Sequence, residues 1–326
     1  MNTELKEPIK ADPERMKNFV FILAHKAGLP EDKALFLAEL LIKNDLRGVF
    51  THGSKQIATY ARDMRAGLLN KNPQVSVHND ASSTLVVDGD GGLGYFAAYK
   101  ATQELIERAR LNGIAAAVTR NHGHIGAAGI YTRLLVENDL FGYVTSGHQL
   151  NIGPENSIAD AAGGPPMSFA VPSDEELPMV LDFGATQDLY TGAPRAEELF
   201  KLAPGLVFRN LGLGYMCQAL GGFLAGVPLD EERAGKQYRG ADQGSLIIAM
   251  DINRFFPIDQ FKGEMDNYMK VTSQMKPMPG LQKATLPGVL EAHREQDWSV
   301  SGIPLNAEHQ DILASVAAEF GVELPF

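Results

Sequence analysis

The sequence predicts an α/β protein in which a sheet-forming middle lies between helical chain ends. Short apolar runs that contain β-branched residues, typical of buried strands, recur through the middle, as in residues 83–88 (STLVVD) and 245–251 (SLIIAMD). Amphipathic helical stretches separate these runs and also occupy both ends. With 326 residues, 44% of them hydrophobic, the chain can form about two domains with a sizeable core.

Composition and charge exclude several classes of protein. The formal net charge of −11 argues against nucleic acid or anionic membrane as the main partner, since both bind clustered Lys and Arg. The amino-terminal segment is polar, and no window reaches the ~18 unbroken apolar residues of a membrane span. The single cysteine, Cys217, lies in an apolar run and is expected in the core. We therefore expect a soluble, cytoplasmic protein without an intrachain disulfide.

Three helices are predicted before the first strand, over about residues 13–27, 31–43 and 52–66. Asp12 can cap the first helix ahead of a proline in its first turn, and Thr51 can cap the third. On the third helix His52, Gln56 and Tyr60 stand four residues apart and are predicted to form one polar stripe. In the first turn, the helix dipole would favour a neutral imidazole and an anionic ligand at His52. A purely structural capping histidine is the alternative.

A glycine-rich turn, residues 89–94 (GDGGLG), follows the strand at 83–88 and precedes a predicted helix at 95–110. With the next strand at 114–119 it has the G-x-G-x-x-G pattern of a dinucleotide-binding turn. The acidic residue expected after the second strand is absent, and Arg120 stands there instead. A tight turn that packs a helix on a sheet explains these glycines equally well.

The segment around which the chain is organised is 115–131 (AAAVTRNHGHIGAAGIY). It predicts the end of a buried strand, a loop at 120–124 that carries His122 and His124, and a helix over about 126–137. A glycine-flanked loop between strand and helix is where an α/β enzyme places an acid–base group. A pair of solvated loop histidines is the alternative.

The rest of the chain alternates between strands and helices. Further strands are predicted at 141–146, 167–171, 179–181 and 245–251, and further helices at 212–226, 260–274 and 309–320. A polar loop occupies 148–164. Asp182 is expected to end the strand at 179–181, where a carboxylate could orient a histidine or bind a ribose hydroxyl.

Six widely spaced segments carry a family resemblance. They are residues 44–53 (NDLRGVFTHG), 88–94 (DGDGGLG), 121–131 (NHGHIGAAGIY), 180–182 (VLD), 286–288 (LPG) and 302–305 (GIPL). In this order they resemble the type-2 malate/L-lactate dehydrogenase family, nicotinamide-dependent reductases of 2-oxo acids, cyclic imino acids and related compounds. The resemblance implies a non-Rossmann α/β fold, with a helical substrate domain (1–75 with 285–326) and a mixed-sheet, cofactor-binding-like domain (76–284). It also implies a homodimer with the active site near the subunit interface.

The resemblance assigns roles to individual residues. His124 would be the catalytic proton donor, His52 would hydrogen-bond the substrate, and Asp182 would be the orienting carboxylate. Substrate contacts are expected from Arg47, Thr51, Gln56 and Tyr60. Contacts with NAD or NADP are expected from Arg120, Asn121, Thr145 and Ser146. No metal is implied.

The chain also departs from the family pattern. Gln56 replaces an arginine that is expected to grip the substrate carboxylate, and an amide binds an anion more weakly than a guanidinium fork. This predicts a less acidic substrate, or one held by Arg47 or Arg120. Residues 163–166 (GGPP) replace G-T-N-P, and a long segment is missing after Ala193. Several of these elements help to hold the dinucleotide in the family.

The predicted function is NAD(P)H-dependent reduction of the carbonyl or imine of a small 2-oxo or imino acid. The alternative is a cofactor-free proton-transfer enzyme (an isomerase, hydratase or decarboxylase) that uses the same histidines. A metal site at His122 and His124, with His52 or His148, has less support because no carboxylate or cysteine stands at ligand spacing. A non-catalytic binding protein is less favoured still, since retaining His52, His124 and Asp182 together has no obvious structural need.

Overall fold

The computed structural model describes residues 9–78, 80–187, 189, 193–233 and 235–326. The chain forms two compact units. The first comprises the described residues up to Asn72 together with Gly288–Phe326, and the second is Pro73–Pro287. No helix within the described ranges combines the length and apolarity that a membrane span needs.

The first unit is mainly helical and is built from both ends of the chain. Its helices are α1 (Pro13–Lys26), α2 (Glu31–Leu46), α3 (Gln56–Arg65), α9 (Val289–Ser301) and α10 (Ala307–Phe320). Two short strands, β1 (Ile9–Ala11) and β9 (Ile303–Leu305), pair antiparallel. The predicted start of α1 is confirmed: Pro13 lies in the first turn, and the Asp12 carboxylate accepts a hydrogen bond of 2.8 Å from the Arg15 amide.

The predicted third helix begins later than its sequence suggests. Residues Phe50–His52 form a separate 3₁₀ turn, and α3 starts at Gln56. The prediction that His52, Gln56 and Tyr60 form one stripe on one helix is therefore wrong. Tyr60 is 3% exposed and lies in the core of this unit instead of on a polar face.

A buried carboxylate on α2 explains the break. The Ser54 amide donates to Asp45 Oδ2 at 3.0 Å. Gly53 lies so close to this side chain that a Cβ there would overlap Asp45 Oδ1. The contact holds Gly53 in an extended conformation, with φ of −93° and ψ of −152°, and this conformation ends the turn before α3 can begin.

The second unit contains a seven-stranded mixed sheet in the order β2-β3-β4-β8-β5-β6-β7. Its strands are β2 (Ser76–His78), β3 (Thr84–Asp88), β4 (Ile114–His122), β5 (Leu140–His148), β6 (Pro166–Val171), β7 (Met179–Gly184) and β8 (Gln243–Asp251). Its helices are α4 (Gly94–Asn112), α5 (Gly129–Val136), α6 (Ala196–Leu202), α7 (Pro204–Cys217) and α8 (Ile258–Ser273). A π-helical turn, Gln218–Phe223, continues α7.

Strand directions bring several chain segments to one edge of this sheet. Strands β3 and β4 pair parallel, and both β4 and β5 pair antiparallel with β8, which lies between them. Since β6 is antiparallel to both β5 and β7, strand β7 runs in the same direction as β5. The carboxyl ends of β3, β4, β5 and β7 and the start of β8 at Gln243 therefore share one edge, which we call the carboxyl edge.

Three predicted boundaries change. Strand β4 continues through an irregularity in its pairing with β8 and ends at His122, because the register shifts between Thr119 and His122 as in a β-bulge. Strand β7 extends past Asp182, which lies within it and does not end it. Helix α5 starts at Gly129, after Gly126 adopts a left-handed φ of +77° that a helix excludes.

Candidate active site

The glycine turn at 89–94 and the histidine loop at 120–124 are bound to each other. Four backbone hydrogen bonds of 2.9–3.0 Å connect them, because the glycine turn follows β3, while residues 120–124 comprise the end of the adjacent parallel strand β4 and the two residues after it. In one of these bonds the Gly94 amide donates to the carbonyl of His124 at 3.0 Å. The backbone of His124 is thus fixed although it lies outside regular secondary structure.

The glycines permit this close approach. A Cβ at Gly89 would lie 2.6 Å from the Cβ of His122, and one at Gly94 would lie 2.5 Å from the carbonyl oxygen of Gly123. The space beside the turn, where a Rossmann fingerprint would admit a pyrophosphate, is filled by the chain itself. The structure therefore favours the tight-turn explanation of these glycines.

The two histidines of the loop differ in environment. His122 is fully buried, with Nδ1 2.7 Å from the Gly123 carbonyl oxygen and Nε2 2.6 Å from the Thr119 hydroxyl. The carbonyl requires a proton on Nδ1, so Nε2 accepts from the hydroxyl. Burial lowers the pKa of His122 to about 4, and the ring is neutral at neutral pH. His122 is a structural residue in this arrangement.

His124 is half-buried, so its imidazole is more accessible than that of His122. A fixed backbone and a partly accessible ring suit a group that exchanges a proton with a bound molecule. Of the two loop histidines, the structure therefore favours His124 for chemistry.

Asp182 connects β7 with the start of α5. Its Oδ2 atom accepts a hydrogen bond of 2.9 Å from the amide of Gly129, the first residue of that helix. A Cβ at Gly129 would lie 2.5 Å from the same oxygen, so the contact depends on glycine. The carboxylate also lies where the helix dipole stabilises negative charge. Its predicted role as the orienting carboxylate stays a prediction.

Two of the four predicted cofactor contacts lie exposed at the carboxyl end of β4. Asp88 accepts hydrogen bonds from Arg120 Nε at 3.2 Å and from Asn121 Nδ2 at 2.8 Å. Burial would raise the pKa of Asp88, but the hydrogen bonds from Asn121, the Asp90 amide and Arg120 outweigh it and lower the pKa. Asp88 is therefore ionised and orients both side chains.

The other two predicted contacts, Thr145 and Ser146, are buried. The Thr145 hydroxyl donates to the carbonyl oxygen of Pro166 at 2.8 Å. The π-helical turn covers Ser146, because a Cβ at Gly221 would lie 2.6 Å from the Ser146 Cα. Both residues hold neighbouring elements together, and their contact with a cofactor stays a prediction.

A pocket of about 310 Å³ opens at the carboxyl edge, beside the end of β4 and the start of β8. Its polar lining includes Asp90, Arg120, Asn121, Lys236, Tyr238 and Gln243. Arg120 and Asn121 were predicted from the sequence as ligand contacts, whereas Lys236, Tyr238 and Gln243 were not. The last three lie in or directly after the irregular segment before β8, which carries no motif. Only the register of β8 between β4 and β5 brings them to this edge.

In the first unit, His52 is held through its backbone and its ring. The Asn44 side-chain amide donates to the His52 carbonyl oxygen at 2.8 Å, and Thr51 Oγ1 lies 2.9 Å from Nδ1 of the ring. Burial lowers the pKa of His52, which favours the neutral imidazole. Gln56 donates from Nε2 to the Thr51 carbonyl oxygen at 2.6 Å, so part of its amide is already engaged.

The structure separates the predicted substrate contacts into accessible and engaged groups. Thr51 is exposed and Gln56 is half-buried. Arg47 forms a two-pronged ion pair with Glu295, at 2.8 and 3.2 Å, and its side chain is only 11% exposed. Tyr60 lies in the core. A substrate contact from any of the four stays a prediction.

The described part of the chain contains no group of three or more His, Cys, Asp or Glu side chains arranged to hold a metal ion. Cys217 is buried, as its apolar sequence context predicted.

Comparison with known proteins gives a consistent result. The family model described as malate/L-lactate dehydrogenase matches residues 11–204 and 194–314. The malate dehydrogenase of Pyrococcus horikoshii is 24% identical over 97% of this chain and 96% of its own length. The ureidoglycolate dehydrogenase (NAD(+)) of Escherichia coli O157:H7 is 22% identical over 86% of this chain and 88% of its own. The solved structure of the P. horikoshii malate dehydrogenase superposes with a TM-score of 0.85 over 99% of both chains, at 24% identity.

Proposed function

Because the chain belongs to the malate/L-lactate dehydrogenase family, we propose that it reduces a small 2-oxo or cyclic imino acid with NADH or NADPH. The observation that carries the proposal is the position of His124: fixed by Gly94, half-buried, and at the carboxyl edge of the sheet. The similar proteins described above support an oxidoreductase, since both are named as dehydrogenases and one name specifies NAD(+).

In this proposal His124 donates a proton to the carbonyl oxygen or imine nitrogen of the substrate as the adjacent carbon is reduced. The nicotinamide, when bound, supplies the hydride. His52 hydrogen-bonds the substrate, with Thr51 and Gln56 beside it in the sequence. Asp182 orients the start of α5, the helix that follows the His124 loop, by accepting from the Gly129 amide. The proposal includes a homodimeric, cytoplasmic enzyme, and light scattering tests the dimer.

The residues at the carboxyl edge fit a dinucleotide in part. A guanidinium and an amide, from Arg120 and Asn121, can donate to phosphate or ribose oxygens, and Asp88 already orients both. Thr145 and Ser146 are buried and offer little to such a ligand. We therefore propose that Arg120 and Asn121 hold the cofactor.

Titration of the purified protein with NADH and with NADPH, followed by nicotinamide fluorescence and calorimetry, tests the proposal. Saturable binding of either is expected, and turnover of a suitable oxo or imino acid should fall by about 10²–10⁴ in His124→Ala with cofactor binding retained. His78→Ala, a histidine change on strand β2, is the matched control and should leave turnover unchanged. No binding of either nucleotide at millimolar concentration would overturn the proposal.

A second candidate function keeps His52 and His124 but needs no cofactor. The burial of Thr145 and Ser146 favours it, because half of the predicted cofactor contacts are then covered by the second unit itself. It predicts proton exchange or isomerisation of a substrate without nicotinamide. This activity should be lost in His52→Ala and in His124→Ala while nucleotides remain without effect.

A further inference from the structure

The pocket at the carboxyl edge contains two cationic side chains, Arg120 and Lys236. Arg120 is oriented by Asp88, which accepts from Nε at 3.2 Å. That contact engages one side of the guanidinium and leaves the donors of the terminal nitrogens for another acceptor. Asp88 therefore both neutralises part of the charge and fixes its position at the pocket.

Lys236 is held in a different way. Its ammonium donates to Gln149 Oε1 at 2.6 Å, and Gln149 is itself held because its Nε2 donates to Asn151 Oδ1 at 2.8 Å. Gln149 is neutral, and no carboxylate of the described residues lies within ion-pair distance of this ammonium. Burial lowers the pKa of Lys236, against weaker opposing effects of Asp242 and Glu231. A partly desolvated ammonium with a neutral partner is stabilised when an anion enters the pocket.

The pocket lining also carries an acceptor. Asp90 lines the pocket, and its Oδ2 accepts from the Gln74 amide at 2.9 Å. Asp90 and its neighbour in the pocket, Asn121, both have left-handed φ angles, +50° and +53°. Such conformations are uncommon outside glycine and occur often at ligand sites. The carboxylate of Asp90 disfavours a ligand that is anionic throughout and favours one that presents a donor there.

We propose that this pocket binds a small organic acid whose acidic group lies between Arg120 and Lys236 and whose hydroxyl or amino group donates to Asp90. Two kinds of ligand offer both an acidic group and a hydroxyl. One is a free hydroxy acid, and the other is a nucleotide, which offers its phosphate and its ribose hydroxyl. The segments that carry the family resemblance do not include Lys236, Tyr238 or Gln243. If the ligand is a nucleotide, this inference adds Lys236 to the proposed cofactor contacts Arg120 and Asn121. If it is instead the substrate acid of the proposed reduction, Arg120 serves the substrate and not the cofactor, and Arg120 and Lys236 supply the positive charge that Gln56 lacks.

Calorimetric titration of the protein without turnover tests this inference, so its outcome is independent of hydride transfer. The probes are malate, succinate and AMP; malate and succinate differ only by one hydroxyl. We expect malate or AMP to bind, and malate to bind more tightly than succinate because malate has a hydroxyl that can add a hydrogen bond to the Asp90 carboxylate. Binding of malate identifies a free acid as the source, and binding of AMP alone identifies a nucleotide.

Substitutions then assign the pocket. Arg120→Gln and Lys236→Gln should each weaken binding by about tenfold or more, because each removes a charge-assisted hydrogen bond. Lys236→Arg keeps the charge and should retain most of the affinity. Arg239→Gln, in the same segment but outside the pocket lining, is the matched control. The proposal is overturned if neither malate nor AMP binds at tens of millimolar, or if both glutamine variants, folded by circular dichroism, bind like the wild type.

Discussion

Asp45 is a buried carboxylate whose hydrogen bonding is incomplete. Oδ2 accepts from the Ser54 amide, whereas Oδ1 has no hydrogen-bond partner among the described residues. Burial raises the pKa of Asp45, and the hydrogen bonds from Ser54 and the charge of Lys55 offset only part of this effect. The resulting pKa is about 7, compared with an ordinary value of 3.8. The folded protein therefore holds this carboxyl protonated under mildly acidic conditions, and ionising it in the core costs free energy.

This shift predicts a pH-dependent stability. Between about pH 4 and pH 7 the folded state binds a proton at Asp45 that the unfolded chain has released, so this residue makes the protein less stable as the pH rises. Asp45→Asn keeps an acceptor for the Ser54 amide but cannot ionise. We expect it to raise the free energy of unfolding at pH 8, by at most about 4 kcal/mol, and to have a much smaller effect at pH 4.5. Urea unfolding at both pH values measures this.

At each pH, the free energy of unfolding of Asp45→Asn is compared with that of the wild type. The buried histidines, whose effect on stability has the opposite pH dependence, are the same in both proteins, so their contributions cancel. His122 and His309 have lowered pKa values, about 4 and about 3, and both destabilise the folded state as the pH falls below 6.5. Asp311→Asn, an exposed change of the same kind on α10, serves as the control. An equal effect of Asp45→Asn at both pH values would contradict the assignment.

At the scale of elements, the start of α5 depends on a side chain from another strand. No residue next to α5 in the sequence caps it by a side-chain hydrogen bond, and Asp182 on β7 accepts from the Gly129 amide instead. Asp182→Ala should lower the free energy of unfolding by about 1 kcal/mol. Asp182→Asn should lower it by less, because the amide oxygen can still accept the hydrogen bond from Gly129. Chemical denaturation compares both with Asp297→Ala, an exposed carboxylate on α9. Equal losses in the Ala and Asn variants would show that the hydrogen bond to Gly129 contributes nothing.

The elements also show which features sequence can predict. The family and the α/β fold were predictable because local patterns encode them: β-branched runs, the Asp12 cap, and the 121–131 motif. The loop predicted at 120–124 was only partly right, because β4 extends through His122. The start of α3 was not, because a contact with Asp45 on another helix determines it. Lys236 was not predictable for a related reason. It has no motif around it and reaches the pocket only through the pairing of β8 with strands distant in sequence.

At the scale of the whole molecule, two segments distant in sequence, residues 9–72 and 288–326, belong to the first unit. Strand β1 pairs with β9, so Ile9 lies opposite Leu305 and Ala11 opposite Ile303. Ala11, Ile303 and Leu305 are buried. The chain has a single tryptophan, Trp298 on α9, whose ring stacks on Phe50 at 5.8 Å. Its fluorescence therefore reports unfolding of the first unit alone, while circular dichroism reports both.

This arrangement predicts the effect of removing β1. A chain that begins at Asp12 loses the strand. We expect its Trp298 fluorescence transition to move to a lower urea concentration, which corresponds to a loss of about 1–2 kcal/mol in the free energy of unfolding. A chain that begins at Ile9 keeps β1, so the difference between the two truncated proteins measures the strand alone. Binding of malate or AMP, whichever the full-length protein binds, provides a readout from the second unit, whose pocket residues all lie outside the deletion. An unchanged Trp298 transition would mean that the pairing of β1 with β9 does not stabilise the helical unit.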